Sequence, residues 1–314
     1  MINIVYMGTP DIAVNSLREL YKNPDINVLC AVTQPDRPKG RGNKLSVPAV
    51  KECALECGVK VYQTEKISAD KELIGALKEM QPDFIVTFAF GQILSQEVLD
   101  IPKFAVINLH ASLLPKYRGA NPIQRCLFNG DKKTGITSML TVLELDAGSI
   151  CETEEIDIDE NMNDIELREI ISKKSPALII STLKGLYAGS LIPKEQGSEG
   201  ISMAKKFKKE DGLIDWNKSA ECIHNQVRSM VSYPAAYTFF KGKMLKILET
   251  RKTGNIQADK PAALVTAAAK NGIEINTGQG CLLITKVKPE SRGVMSAYDF
   301  ANGAGIKEGM LFGE

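Results

Sequence analysis

Apolar residues fall first into short β-branched runs separated by stretches of helical spacing. INIVYM (2–7) and INVLCAVT (26–33) suit strands buried on both faces. Between them DIAVNSLRELYKN repeats its apolar side chains at helical intervals through Ile12, Leu17, Leu20 and Tyr21. The alternation continues with a helix over 47–58, a strand near 59–62, a helix within 69–80, and strands over 83–90 and 104–110. Strands alternating with helices predict an α/β fold with a doubly wound, mostly parallel, Rossmann-like sheet.

From about residue 134 the pattern changes. TGITSMLTVLELDAGSICETEEIDI reads as two extended segments around a turn at Asp146-Ala147-Gly148. A long amphipathic helix follows over DIELREIISKKSPALIISTLKGLYAG, where Pro176 predicts a kink or break. LIPKEQGSEGISMAKKFKKEDG is polar and rich in Gly, Pro and Lys, as a linker would be. Beyond it lie a helix over about 219–231 and five strand-like pieces: AAYTFF, MLKILE, AALVTA, GIEINT and CLLITKV. Such a series predicts a small OB-like β-barrel. The expected division is a catalytic domain over 1–189, a linker over 190–208 and the OB-like domain over 209–314.

Composition narrows the function. The 44% hydrophobic and 25% charged content is that of an ordinary globular protein. The chain begins without a basic n-region or a membrane-length apolar run, so a cytoplasmic protein with no membrane partner is expected. Seven cysteines without a framework pattern suit reduced, mostly buried thiols. Two histidines and no ligand cluster argue against a metal enzyme. The first strand ends in MGTPDIA, which lacks the dinucleotide fingerprint, and no phosphate-binding Gly-x4-Gly-Lys motif occurs. From Lys205 onward basic residues outnumber acidic ones by 17 to 11, although the whole chain carries only +1. A basic C-terminal part hints at a polyanionic partner.

Within the strand FAVINLH, alternation puts Val106, Asn108 and His110 on one face. Carboxyl ends of parallel strands are where such sheets bind ligands. Asn108 and His110 either hydrogen-bond the adjacent loops or face a substrate. Asp146 is either a turn aspartate or a carboxylate that orients His110 and favours its protonated form. With no nucleophile elbow around Ser112, the trio suits a transfer without a covalent intermediate. Asn108 would polarise a carbonyl, His110 would stabilise an oxyanion or move protons, and Asp146 would support His110. PDRPKGRGNK (35–44) brings Arg37, Lys39, Arg41 and Lys44 into one loop, and KKFKK adds Lys205, Lys206, Lys208 and Lys209. Each group is either a solvated charge run or a phosphate-binding patch.

VINLHASLLPKYRGANPIQ resembles the signature region of the 10-formyltetrahydrofolate-dependent formyltransferases. The likeness continues through MGTPD, TQPDRPKGRGNKLSVPAVK, FAFGQIL, RGANPIQR, LDAGSI and AKKFKKEDGLIDW, across nearly the whole chain. It implies that Asn108, His110 and Asp146 are catalytic and that Phe90, Gly91, Gln92, Ser112, Leu113, Leu114 and Pro115 line the folate. It further implies that the acceptor is the amine of methionine esterified to initiator tRNA. The basic loop would then meet the acceptor stem, with Arg41 at its most important position. No metal is implied, and a monomer is expected. Two departures stand out: Phe90 where tyrosine is frequent, and VSYPAAY where the family has an Asn-Pro-Trp-Pro-like segment. Rival readings are a formyltransferase for an amino sugar or a ribonucleotide amine, a formyltetrahydrofolate hydrolase, and a non-catalytic RNA-binding protein. A ribonucleotide enzyme would stop near residue 200, an amino-sugar enzyme would not need PDRPKGRGNK, and a hydrolase would turn over without an amine.

Overall fold

β1 (Ile2–Gly8), α1 (Val14–Lys22) and β2 (Ile26–Thr33) form the opening unit that the apolar spacing predicts. The computed structural model describes residues 1–39, 44–255, 257 and 259–313, and the side chains of Lys39 and Lys44 are outside that description. The chain continues with a hairpin of β3 (Arg37–Lys39) and β4 (Lys44–Ser46), α2 (Ala49–Glu56), β5 (Val61–Gln63) and α3 (Lys71–Met80). Then come β6 (Phe84–Phe88), α4 (Gln96–Leu99), β7 (Ala105–His110), α5 (Pro122–Phe128), β8 (Lys133–Leu140), β9 (Ile150–Asp157) and α6 (Asp164–Tyr187). The seven-stranded sheet has the order β5-β2-β1-β6-β7-β8-β9. Its ladders are parallel from β5 to β7 and antiparallel from β7 to β9.

Burial explains the strand composition. Every residue of β6 is buried, as in β1 apart from Asn3, so both strands are almost wholly apolar. Val5, Met7, Val32, Ile74, Leu77, Ile85 and Phe90 share one core. Local capping sets the helix ends: Asp70 accepts the Leu73 N–H at 3.1 Å, and Asn163 accepts those of Ile165 and Glu166 while Glu166 returns to the Asn163 N–H. α6 runs through Pro176 as a single helix, so the expected break does not occur. Its small polar residues fit closely, with Ser175 meeting Ser16 and Thr182 meeting Ser138.

The sheet reverses its winding between β1 and β6, which makes their carboxyl ends a topological switch point. Gln34 and Thr9 tie this edge together, each donating to the Phe90 carbonyl, at 3.0 and 3.4 Å. The edge beside β7 therefore presents His110 at a place built for ligands.

Two compact units divide the chain. The first holds 1–122, 133–157 and 168–204; the second holds 123–132, 158–167 and 205–314. The segment 190–204 is bound to the first unit rather than free of it. Ile150 and Lys194 exchange backbone hydrogen bonds at 2.7 and 2.8 Å, and Arg118 does the same with Ser202 and Ala204. In the second unit α7 (Ala220–Ser229) precedes β10 (Ala236–Phe240), β11 (Lys243–Lys252), β12 (Val265–Ala269), β13 (Gly272–Asn276), β14 (Cys281–Pro289) and the short β15 (Met295–Ser296). These form the antiparallel sheet of an OB-like domain, in the order β10-β11-β14-β13-β12 with β15 on β14. α8 (Ala297–Ala304), which the apolar spacing did not reveal, packs Ala297 and Ala301 into the same core. No described helix is long and apolar enough to cross a membrane.

Candidate active site

Asn108 and His110 leave β7 on one face, as alternation requires, and the loop 141–149 brings Asp146 to both. Asp146 Oδ2 lies 3.6 Å from His110 Nδ1, and Asp146 Oδ1 accepts from Asn108 Nδ2 at 3.5 Å. The other partner of the carboxylate is the Gly119 N–H, which donates to Oδ2 at 2.7 Å. Asp146 has a φ of 50°, a left-handed conformation that aspartate tolerates better than most residues. It is thus both the turn residue and the carboxylate facing His110.

Three groups outside the expected trio hold it in place. Thr87, the β6 neighbour of Asn108, donates its hydroxyl to Asn108 Oδ1 at 2.9 Å. With Oδ1 held there, Asn108 Nδ2 is turned toward Asp146. The Tyr117 carbonyl lies 2.8 Å from His110 Nε2. Because a carbonyl only accepts, Nε2 carries the proton in this bond. Gln196 donates to the carbonyls of Asp146 and Gly148, both at 2.8 Å, and its own Oε1 accepts from Arg118 Nε and Nη2 at 3.1 and 2.8 Å. Arg118 also reaches Glu144 at 3.4 Å, so the loop is clasped from both sides. Sequence spacing could not pair Gln196 with a loop some fifty positions earlier, since 190–204 looked like a free connector.

His110 is only 5% exposed. Burial lowers its pKa from the ordinary 6.5, outweighing the opposing pulls of Asp146 and the Tyr117 carbonyl. Of the two pulls that act on the ring, burial toward the neutral form therefore exceeds that of Asp146 toward the charged one. His224 in α7 is also held low by burial, between the Thr250 hydroxyl at 2.9 Å and the Glu160 carbonyl at 3.0 Å. As pH falls through 6.5 the unfolded chain protonates both imidazoles while the native chain resists. The contribution is fully present above the unfolded value and falls as pH drops toward the lower native values. Imidazole titrations followed by NMR are expected to have midpoints below 6.5, with the melting temperature falling over the same interval. A native midpoint at or above 6.5 would contradict the dominance of burial.

The residues expected around a folate divide into two kinds. The Phe90 ring is buried in the sheet core, so it is the backbone of this residue that faces the loop edge. The Gln92 amide is engaged with Ile67 N–H and the Thr64 carbonyl at 2.7 and 2.8 Å, and the Ser112 hydroxyl donates to the Lys116 carbonyl at 2.6 Å. These side chains shape their loops from within. Gly91 is exposed, while Leu113 and Pro115 are half-buried and Leu114 is buried. Exposed apolar side chains in the loops after β6 and β8 include Ile93 at 82%, Leu143 at 62% and Leu145 at 54%.

Of the expected cationic loop, Arg37 is exposed on β3, and Asp36 beside it is fixed by Lys51 at 2.8 Å and Gln63 at 2.9 Å. Arg41 lies outside the described residues, as do the side chains of Lys39 and Lys44. Lys205, Lys206, Lys208 and Lys209 are exposed on the second unit. Among the described residues no group of three or more His, Cys, Asp or Glu is placed to hold a metal ion.

A neutral imidazole, an oriented amide and a carboxylate at this sheet edge, followed by an antiparallel β domain, belong to one class of group-transfer protein. The chain is a member of the formyl transferase family, whose model matches residues 2–183, with the formyl transferase C-terminal domain matching 206–305. Its full-length likeness is to the methionyl-tRNA formyltransferases. The Clostridium beijerinckii protein of that name is 42% identical over 310 residues, 99% of each chain. That of Thermodesulfovibrio yellowstonii is 43% identical over 307 residues, 98% of this chain and 97% of the relative. The crystal structure of WlaRD, a sugar 3N-formyl transferase in the presence of dTDP and 5-N-formyl-THF, shares the fold. It has a TM-score of 0.67 and 21% identity over 93% of this chain and 99% of that one.

Proposed function

We propose that the protein transfers the formyl group of 10-formyltetrahydrofolate to the α-amino group of methionyl initiator tRNA, giving formylmethionyl-tRNA for translation initiation. The likeness over both units to methionyl-tRNA formyltransferases carries this reading. The neutral His110 in contact range of Asp146 supplies its chemistry.

With Nε2–H engaged by the Tyr117 carbonyl, His110 Nδ1 keeps its lone pair toward Asp146. An α-amine has a pKa of about 7.7–8.0, so part of it is already neutral near pH 7. Its nitrogen attacks the formyl carbon, the carbonyl becomes an oxyanion, and an Asn108 N–H stabilises that oxygen. Nδ1 takes the proton that the new C–N bond makes acidic, and Asp146 stabilises the resulting imidazolium. The proton then passes to the departing folate nitrogen as its bond to carbon breaks. The products are a formamide and tetrahydrofolate, with His110 neutral again. Gly91, Leu113, Leu114 and Pro115 contribute loop surface to the folate, with Ile93, Leu143 and Leu145 as apolar groups for its rings.

Arg37, Lys39, Arg41 and Lys44 contact acceptor-stem phosphates, and the lysines at 205, 206, 208 and 209 extend the contact. Arg41→Ala is expected to raise KM for charged tRNA while KM for the folate stays unchanged, as steady-state kinetics with each substrate varied will read. Equal losses for both substrates would contradict the assignment. The overall function is tested by offering methionyl initiator tRNA, an amino sugar nucleotide and glycinamide ribonucleotide as competing acceptors. Formylation of the tRNA amine alone is expected, and preference for either small amine would overturn the reading.

A further inference from the structure

Arg125, in α5, is stacked closely on an aromatic ring. Its guanidinium carbon sits 3.7 Å from the centroid of the Phe207 ring, and Phe128 lies on the same cluster with its ring 5.4 Å from that of Phe207. Nε donates to the Lys205 carbonyl at 2.9 Å, which leaves both terminal nitrogens without a hydrogen-bond partner among the described residues. Phe207 is 5% exposed and anchors KKFKK, so Lys205, Lys206, Lys208 and Lys209 project around a fixed point. None of these four lysines forms an ion pair among the described residues. The neighbouring Asp211 carboxylate is turned to the Lys208 backbone N–H at 2.7 Å.

A stacked guanidinium loses little freedom on binding and offers two parallel N–H groups, the geometry of a bidentate phosphate contact. From this we infer that Arg125, on its Phe207 platform, is a phosphodiester-binding site for the tRNA acceptor, with the four lysines as its electrostatic surround. The inference rests on the proposed tRNA-directed function but names a residue outside both basic segments.

The test measures binding of labelled initiator tRNA to the full-length protein as salt is varied, so it does not depend on turnover. Arg125→Ala is expected to weaken binding about tenfold near 0.1 M salt and to flatten the log–log salt slope by about one unit. Arg125→Lys, which keeps charge but loses the fork and the stacking, is expected to weaken binding while nearly preserving that slope. Wild-type affinity and slope in Arg125→Ala would overturn the site, including the case where only the melting temperature falls. A wild-type protein that binds this tRNA but fails to formylate it would count against the catalytic reading and leave the Arg125 result to stand by itself.

Discussion

His110→Ala and Asn108→Ala are each expected to lower kcat for formyl transfer by about a hundredfold or more, with KM for 10-formyltetrahydrofolate little changed. An oxyanion donor in a buried site contributes roughly 2.7–4 kcal/mol to the transition state, and a general base contributes on a similar scale. Asn108 is half-buried and His110 buried, so water cannot fully replace either group. Thr87→Val gives a smaller drop, about fivefold, because it removes one hydrogen bond that orients Asn108 rather than Asn108 itself. Steady-state kinetics on the three variants reads this order directly. A wild-type kcat in either alanine variant would remove that residue from the chemistry, and a Thr87→Val loss as large as theirs would contradict its merely orienting role.

Gly148→Ala is expected to damage both stability and turnover. A Cβ built at Gly148 would lie 1.8 Å from the Leu140 carbonyl oxygen, and that oxygen is backbone that cannot swing aside. The loop must move, and it carries Asp146 two residues earlier. Gln196 holds the carbonyls of both residues, so its two bonds cannot survive the shift together. Overpacking of this kind costs about 1–3 kcal/mol, and a displacement near 1 Å at the site costs about a hundredfold in rate. Thermal melting and kcat are therefore expected to fall together. A variant that melts and turns over like the wild type would show that the loop does not hold Asp146 as described.

Much of this architecture was legible because β1 and β6 are almost continuously buried and α1, α3 and α7 carry strong apolar spacing. Asn108 and His110 share a face for the simple reason that strands alternate. Asp146 could not be placed by spacing, because β8 ends at Leu140 and β9 begins at Ile150, so the turn is a folded loop. Family likeness supplied what periodicity could not. The protonation state of His110 was open in the sequence for a physical reason: a nearby carboxylate is visible in a motif, whereas the depth of burial that opposes it is not. The direction of the Phe90 ring was likewise hidden, since a residue in a ligand-loop motif can still send its ring into the core. Gln196 and Arg125 were hidden because their partners lie across long stretches of chain.

Label transfer tests the central claim most directly. The protein is mixed with 10-formyltetrahydrofolate carrying a labelled formyl carbon and with methionyl initiator tRNA, and a parallel reaction receives the same tRNA without methionine. The account predicts label in acid-stable formylmethionine in the first reaction, with neither transfer nor formate release in the second. Label that stays on the folate, or that appears as formate without an acceptor, would contradict it.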